Sequence, residues 1–329
     1  MKENKTILIT GGAGYVGSHT VHRLIKKGYK TIVLDNFSTG HHDFIHPESE
    51  VVECDLEDYN KLTSITKNLS FDAVIHFASK SIVSESMLEP FPYLEGNVVS
   101  AINLLKLMVN KSTNNIIFSS SAAVFGIPES SLIDDSHSTN PVNPYGASKL
   151  VIEKILQSLS NSKKINSISF RYFNAVGSDY KNNIGELHEP ETHLIPNILN
   201  ASISNSSEPS LNIFGDDYPT HDGSCVRDYI NVMDLAEAHI KGMEWLDKNK
   251  GSYRMNLGTG HGCSVFHIIN LCEKVTNKKI KFNIKSRRAG DPHTLVANAN
   301  NAEKLLNWKP HISIEQSITE AYEWTKLKR

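Results

Sequence analysis

The sequence predicts an α/β fold: a doubly wound parallel sheet with a smaller, interleaved C-terminal lobe. Three observations predict it. Short β-branched runs alternate with helical patterns through residue 178, the pattern of a parallel sheet covered on both faces. A glycine-rich turn separates the first run from the first helix, where doubly wound sheets bind nucleotides. Beyond 178 the alternation gives way to turn-rich sequence and resumes only near 231–260. The expected division is a nucleotide-binding domain over 1–178, with returns near 231–260, and a substrate-binding lobe over 179–329.

Residues 5–10 are apolar and β-branched, a buried strand. Gly11-Gly12-Ala13-Gly14-Tyr15-Val16-Gly17 follows, and Val21, Leu24 and Ile25 then recur at helical spacing up to Gly28. Gly12, Gly14 and Gly17 satisfy GxGxxG, and Gly11, Gly14 and Gly17 also satisfy GxxGxxG. Without Cβ atoms, backbone amides at a helix N-terminus can meet a pyrophosphate directly. The next strand, 30–34, ends at Asp35, eighteen residues past Gly17. A carboxylate there accepts hydrogen bonds from a ribose diol and repels a 2′-phosphate, which favours NAD over NADP.

Residues 51–54 give a third strand ending at Asp55 and Leu56, followed by a helical stretch to about 69. A fourth strand covers 72–77, a long helical segment 92–109, a fifth strand 115–121 and a sixth 167–172. Ligands of such sheets lie outside the carboxyl ends of the strands. Phe77, Ser121, Tyr172, Phe173 and Asn174 therefore converge on one edge.

Between the fifth and sixth strands, Pro144-Tyr145-Gly146-Ala147-Ser148-Lys149 opens a helix that continues through Leu150, Val151, Ile152, Ile155 and Leu156. Proline fits a first turn because no backbone donor is needed there. Tyr145 and Lys149 are four apart and share a face. An ammonium one turn from a phenol favours the phenolate. Lowering a phenol from ~10 to ~7 takes about 4 kcal/mol, which a partly buried cation together with a bound cationic ring can supply. A Ser121 hydroxyl at the strand end is placed to bond a sugar hydroxyl or carbonyl near Tyr145.

Past residue 178 come the polar run Ser204-Asn205-Ser206-Ser207 and the turn Gly215-Asp216-Asp217-Tyr218-Pro219. A helix over 232–245 and a strand over 253–257 are expected to rejoin the main sheet.

Composition narrows the partners. A formal charge of −2 over 329 residues gives no general attraction to nucleic acid or an anionic membrane. The four cysteines, Cys54, Cys225, Cys263 and Cys272, show no CxxC pairing and read as free thiols of a reducing compartment. The apolar run 7–9 is too short for a signal core or a membrane span, so a cytoplasmic chain is expected. The stretch His188-Glu189-Pro190-Glu191-Thr192-His193 places two histidines five apart around a proline. They cannot share a helix face as HExxH requires. His41, His42 and His46 read as a surface loop, and no metal is expected.

The glycine turn, Asp35, Ser121 and the Tyr145-to-Lys149 pair together resemble the extended short-chain dehydrogenase/reductase family. Nearly the whole chain is similar to its nucleotide-sugar 4-epimerase branch. The specific strings include His76-Phe77-Ala78, Phe118-Ser119-Ser120-Ser121, Arg171-Tyr172-Phe173-Asn174-Ala175, His193-Leu194-Ile195-Pro196 and Val226-Arg227-Asp228-Tyr229. The resemblance implies NAD held around Gly11, Gly14, Tyr15, Val16, Gly17, Asp35, Asn36, Phe37, Ser38, Thr39, Gly40, Asp55, Leu56, Phe77, Ala78, Asn97, Tyr145, Lys149 and Phe173. It implies a UDP-sugar held by Ser121, Tyr145, Asn174, His193, Leu194, Asn212, Ile213, Phe214, Arg227, Arg288, Asp291 and Leu295. Arg227 and Arg288 suit a diphosphate because guanidinium forks bond it bidentately, and Phe214 offers a face to uracil. The plainer alternatives are an Arg227 ion pair with Asp228 or another neighbour, and simple core packing for Phe214.

The implied reaction is reversible inversion at C4 of UDP-galactose and UDP-glucose through a 4-keto intermediate. Tyr145 is the implied base, Lys149 its modulator and Ser121 the partner of the reacting oxygen. Lys80 falls one residue early for a family lysine and stays outside the expected site. Leu295 lies where the family flanks the sugar's 2-substituent, so UDP-N-acetylhexosamine is an alternative substrate and UDP-glucuronate another. A dehydratase wants an acid–base pair where this chain has Ala122-Ala123. A non-catalytic NAD-binding regulator could dispense with Tyr145 or Lys149. The family also implies a homodimer through helices near 92–109 and 145–160.

Overall fold

A computed structural model describes residues 5–204, 209, 211–288 and 291–328; Asn205, Ser206 and Ser207 of the expected polar run lie outside them. The strands in chain order are β1 (Thr6–Thr10), β2 (Lys30–Asp35), β3 (Glu50–Glu53), β4 (Ala73–His76), β5 (Asn115–Ser121), β6 (Leu132–Ile133), β7 (Asn166–Tyr172), β8 (Asn174–Val176), β9 (Leu211–Phe214), β10 (Val226–Asn231), β11 (Ser252–Leu257), β12 (Gly262–Ser264), β13 (Phe282–Lys285) and β14 (Thr294–Ala297). The helices are α1 (Tyr15–Lys26), α2 (Tyr59–Ile65), α3 (Val83–Leu88), α4 (Asn97–Asn110), α5 (Pro144–Asn161), α6 (Leu194–Ile203), α7 (Val232–Leu246), α8 (Val265–Thr276), α9 (Asn300–Leu306) and α10 (Ile314–Leu327).

Seven strands pair in the order β11-β7-β5-β4-β1-β2-β3, every pair parallel. The strand order reverses between β1 and β4, the switch point at which such sheets bind ligands. Alternation along β1 shows why both faces are covered. Ile7 and Ile9 enter one core with Val21 and Leu24 of α1 and Leu235 and Ile240 of α7. Leu8 enters the opposite core with Leu104 and Met108 of α4 and Ile152 and Leu156 of α5. Period-two side chains on a strand buried on both faces require this apolar run.

The 92–109 helical path opens with a single π turn, Pro92–Gly96, before α4 begins at Asn97. The helix after β3 stops at Ile65 and not near 69, with the Thr66 hydroxyl bonding the Leu62 carbonyl at 2.6 Å. β11 rejoins the sheet beside β7, and α7 packs over its middle. The one-turn α3 was not legible in the sequence.

The lobe is built on β12-β10-β14-β6, with β8 also pairing β10, and on the small pair β13-β9. Its core gathers Ile195 and Ile198 of α6, Ile268 and Ile269 of α8, and Ile318 of α10. Because β8 follows β7 directly and β10 leads straight into α7, the lobe stands over the carboxyl edge of the sheet.

Candidate active site

The glycine turn is shaped by exclusion. Gly11 has φ +71°, and a Cβ there would lie 2.5 Å from the Ala78 nitrogen. A Cβ on Gly17 would lie 2.1 Å from the Gly11 carbonyl oxygen, so α1 closes onto the turn only with glycine there. Gly14 is the N-cap of α1 and makes no side-chain cap, and the first turn holds no acid. An uncapped helix start flanked by glycines is an anion cradle, and it fits a dinucleotide pyrophosphate.

The adenosine end is equally prepared. Asp35 is buried, and its two oxygens accept from Ala13 N at 3.0 Å and Phe37 N at 2.9 Å, leaving lone pairs for a ribose diol. Asn36 bonds Asp55 at 2.8 Å and receives the Ser38 hydroxyl at 2.8 Å. His41 N bonds the Ala13 carbonyl at 3.0 Å, which folds the segment holding Thr39 and Gly40 over the turn. Phe37, at φ 55°, stacks on His42. Leu56 is buried, its carbonyl held by Asn103 at 2.9 Å. Tyr15 turns away, its hydroxyl donating to the Gly177 carbonyl at 2.7 Å, so the contact available to a cofactor at this position, as at Val16, is the backbone amide.

The cradle runs directly into the tyrosine–lysine helix. Ala78 N bonds the Thr10 carbonyl at 3.1 Å, and the neighbouring Ser79 accepts from Lys149 Nζ at 2.8 Å. Lys149 is 1 % exposed and also donates to the Ser119 carbonyl at 2.8 Å, which leaves one of its three protons for a ligand hydroxyl. Asn97 fixes the same loop: it receives Lys80 N at 2.8 Å and donates to Ser148 Oγ at 3.1 Å. Lys80 itself is exposed. Phe77 packs on His239. His76, held neutral by burial and by the Lys149 charge, is drawn down to about 3.

At the end of β5, the Ser121 hydroxyl accepts from Ala123 N at 3.1 Å and stands near enough to the Tyr145 phenol to favour its ionised form. Asn143 caps α5, receiving Gly146 N at 2.8 Å, so the helix start that carries Tyr145 is fixed. The expected electrostatics need correction. Burial, aided by Tyr172 and Tyr93, pushes Tyr145 above its ordinary value, and only Ser121 opposes it. Burial also draws Lys149 down to about 7. Lys149 is desolvated and engaged by Ser79 and Ser119, so its support of the phenolate works against burial of both groups, which helical spacing alone does not reveal. A bound cationic ring would add to that support. Tyr172, expected at the site edge, does stand beside Tyr145, whereas Ser79, Ser119 and Tyr93 were missed; the hydroxyl run 119–121 and the serine right after His76-Phe77-Ala78 were the available signals for the serines.

On the lobe side, Asn174 donates to the Asp228 carbonyl at 3.2 Å. Arg227 pairs with Asp291 at 2.5 Å and not with Asp228, because Asp228 is buried and bonded by Thr259, Gly260 and Ala297. Arg288 stacks on Phe214, 4.0 Å from the ring centre. Asn212 is exposed on β9, whereas Ile213 belongs to the lobe core and offers only backbone. Leu295 packs with Phe173 and Ala122 beside Ser121, in register with Arg227 across β14 and β10. His193 is the N-cap of α6, just before Leu194, but its Nδ1 lies 2.9 Å from Glu186 and 2.8 Å from Glu191. Its ring is therefore committed within the protein.

His188 and His193 share no helix face. Residues 186–193 instead form a loop in which the side chains of Glu186, His188, Glu191 and His193 converge.

Comparisons with known proteins agree with this architecture. The family described as GDP-mannose 4,6 dehydratase matches residues 8–321. The UDP-glucose 4-epimerase of Halalkalibacterium halodurans is 44% identical over 321 residues, covering 97% of this chain and 95% of the relative. The crystal structure of the Brucella ovis UDP-glucose 4-epimerase in complex with NAD is 38% identical, covers 97% of each chain and superposes with a TM-score of 0.92. That of the Bifidobacterium longum enzyme in complex with NAD+ and UDP is 35% identical, covers 98% of each chain and also has a TM-score of 0.92. The chain belongs to the extended short-chain dehydrogenase/reductase family, among its UDP-glucose 4-epimerases.

Proposed function

We propose that Tyr145, Lys149 and Ser121 carry an NAD-dependent, reversible interconversion of UDP-galactose and UDP-glucose at C4 through a 4-keto sugar. The observation that carries this reading is the convergence of Ser121, Tyr145 and the buried Lys149 with the uncapped glycine turn at the strand-order reversal. When bound, NAD supplies reversible hydride transfer at C4, which makes the keto sugar accessible. Tyr145 removes the proton of the 4-hydroxyl and returns it in the second half-reaction. Ser121 holds the reacting oxygen against Tyr145. Lys149, fixed by Ser79 and Ser119, turns its remaining proton to the nicotinamide ribose. Arg227, swinging between Asp291 and a diphosphate, and Arg288 over Phe214 anchor the nucleotide while the sugar turns over. Purified protein given UDP-galactose alone should form UDP-glucose with no added cofactor; no product even with added NAD defeats this reading.

Leu295 supports a test of sugar width. It fills the space beside Ser121 with four side-chain carbons, so Leu295→Gly should raise kcat/KM for UDP-N-acetylgalactosamine relative to UDP-galactose by about 10–200-fold, the usual discrimination of a hydrophobic pocket. An unchanged ratio would place the 2-substituent elsewhere.

A homodimer and a cytoplasmic location are part of the same proposal. Met87, Leu88, Phe91, Leu94, Val99 and Val151 are exposed, on α3, the Pro92–Gly96 turn and the residue before it, α4 and α5; α3, that turn and α4 all pack against α5. An apolar surface of this kind suits a second copy of the chain. Light scattering should give twice the chain mass, and Leu88→Glu with Phe91→Glu should give the monomer. For location, the support is the unpaired state of all four cysteines and the absence, among the described residues, of a helix long and apolar enough to cross a membrane.

A further inference from the structure

We propose that Glu186, His188, Glu191 and His193 form a structural zinc site at the joint between the two parts of the chain. Each of these residues offers one ligand atom, and the four atoms lie within 4.8 Å of one another. The separations Glu186 Oε1 to His193 Nδ1 and to His188 Nδ1 are 2.9 and 3.4 Å, and those from Glu191 to the same nitrogens are 2.8 and 3.8 Å. Zinc bonds of about 2.0–2.1 Å to nitrogen and oxygen in a tetrahedron place ligand atoms ~3.3 Å apart, the middle of that range. The donor set, two imidazole nitrogens and two carboxylates, is one that zinc accepts.

Two further observations favour a cation over an ion-paired cluster. His188 Nδ1 is a buried nitrogen that makes no hydrogen bond, although two carboxylates face it. Both imidazoles aim the same nitrogen, Nδ1, at the shared centre, with ring centroids only 4.9 Å apart. Two rings so placed repel each other when protonated and bind one cation jointly when neutral. Two carboxylates with a divalent cation leave the half-buried cluster uncharged, as burial demands.

All four ligands come from the protein, so the site is closed and its role is structural. The loop it gathers is tied to three other elements. Trp324 of α10 donates to the Glu186 carbonyl at 2.7 Å, His41 bonds the Leu187 carbonyl at 2.9 Å, and Tyr15 of α1 sets its ring edge against His188. A cation here pins the cofactor turn, the C-terminal helix and the start of α6 together.

The test uses the full-length holoenzyme, prepared without a metal-affinity tag and dialysed with zinc chloride. Elemental analysis should find about one zinc per chain, with an anomalous diffraction peak at the zinc edge among these four residues. Glu186→Gln and His188→Gln should each weaken zinc binding at least ~100-fold, with retained NAD showing that the variant is folded. Chelation should lower the melting temperature of the wild type and not of the variants. Zinc absent from the wild type, an anomalous peak elsewhere, or equal binding by folded variants overturns the site. If neither variant folds, the wild-type anomalous map decides alone.

Discussion

Tyr145→Phe keeps the ring and loses the phenolic oxygen, and kcat should fall by about 10²–10⁴-fold, the range for a removed general acid–base group. The apolar part of the residue is buried and stays so, so the variant should fold and still carry NAD. The loss should appear in kcat with KM little changed, because the oxygen acts on the proton in flight and not on the nucleotide. Steady-state kinetics on UDP-galactose, with bound NAD quantified after denaturation, checks both halves. A variant that interconverts the sugars at the wild-type rate would remove Tyr145 from the reaction and turn the question to the neighbouring hydroxyls of Ser121, Tyr93 and Tyr172.

The second large effect concerns a charge pair that the reaction never touches. Arg171 of β7 and Glu153 of α5 are joined by two hydrogen bonds, 3.0 and 2.6 Å, and the Ser120 hydroxyl adds a third at 2.6 Å. Their side chains are 3 % and 1 % exposed. Arg171→Met leaves the Glu153 carboxylate buried beside no close partner but Ser120 and the more distant Arg254, 3.8 Å away. Removing one member of such a pair destabilises by about 3–5 kcal/mol. Urea unfolding should show that loss for Arg171→Met and a partial recovery when Glu153→Met is added, because the double variant buries no charge. Equal losses in the single and double variants would show that shape, and not charge, is what the pair contributes. Glu153 stands one turn beyond Lys149, so the single variant should also lower activity by shifting α5.

Periodicity exposed much of this molecule before any coordinate. The alternation of runs such as 5–10 and 115–121 with helical stretches determines a parallel sheet, because strands apolar on both faces need helices on both faces. The glycines at 11, 14 and 17 and the carboxylate at 35 determine a dinucleotide site, because backbone approach and a ribose acceptor leave so few other residue choices. Tyr145, Lys149 and Ser121 were visible through helical spacing and strand ends, which are local.

Only the tertiary structure decided the rest, because it rests on groups far apart in the chain. Lys149 is engaged by Ser79 and Ser119, seventy and thirty residues away, and burial works against the charged forms of both Lys149 and Tyr145, which their spacing does not reveal. Glu153 continues the 145–149 face inward, where it meets Arg171 instead of solvent. Arg227 chose Asp291 over its neighbour Asp228, since the neighbour's oxygens were already bonded in the lobe. The segment 186–193 has no helical register to read, and its four convergent side chains became legible only once the loop was folded against α1 and α10. Local spacing fixes which face a side chain occupies; desolvation and long-range pairing fix what that side chain then does.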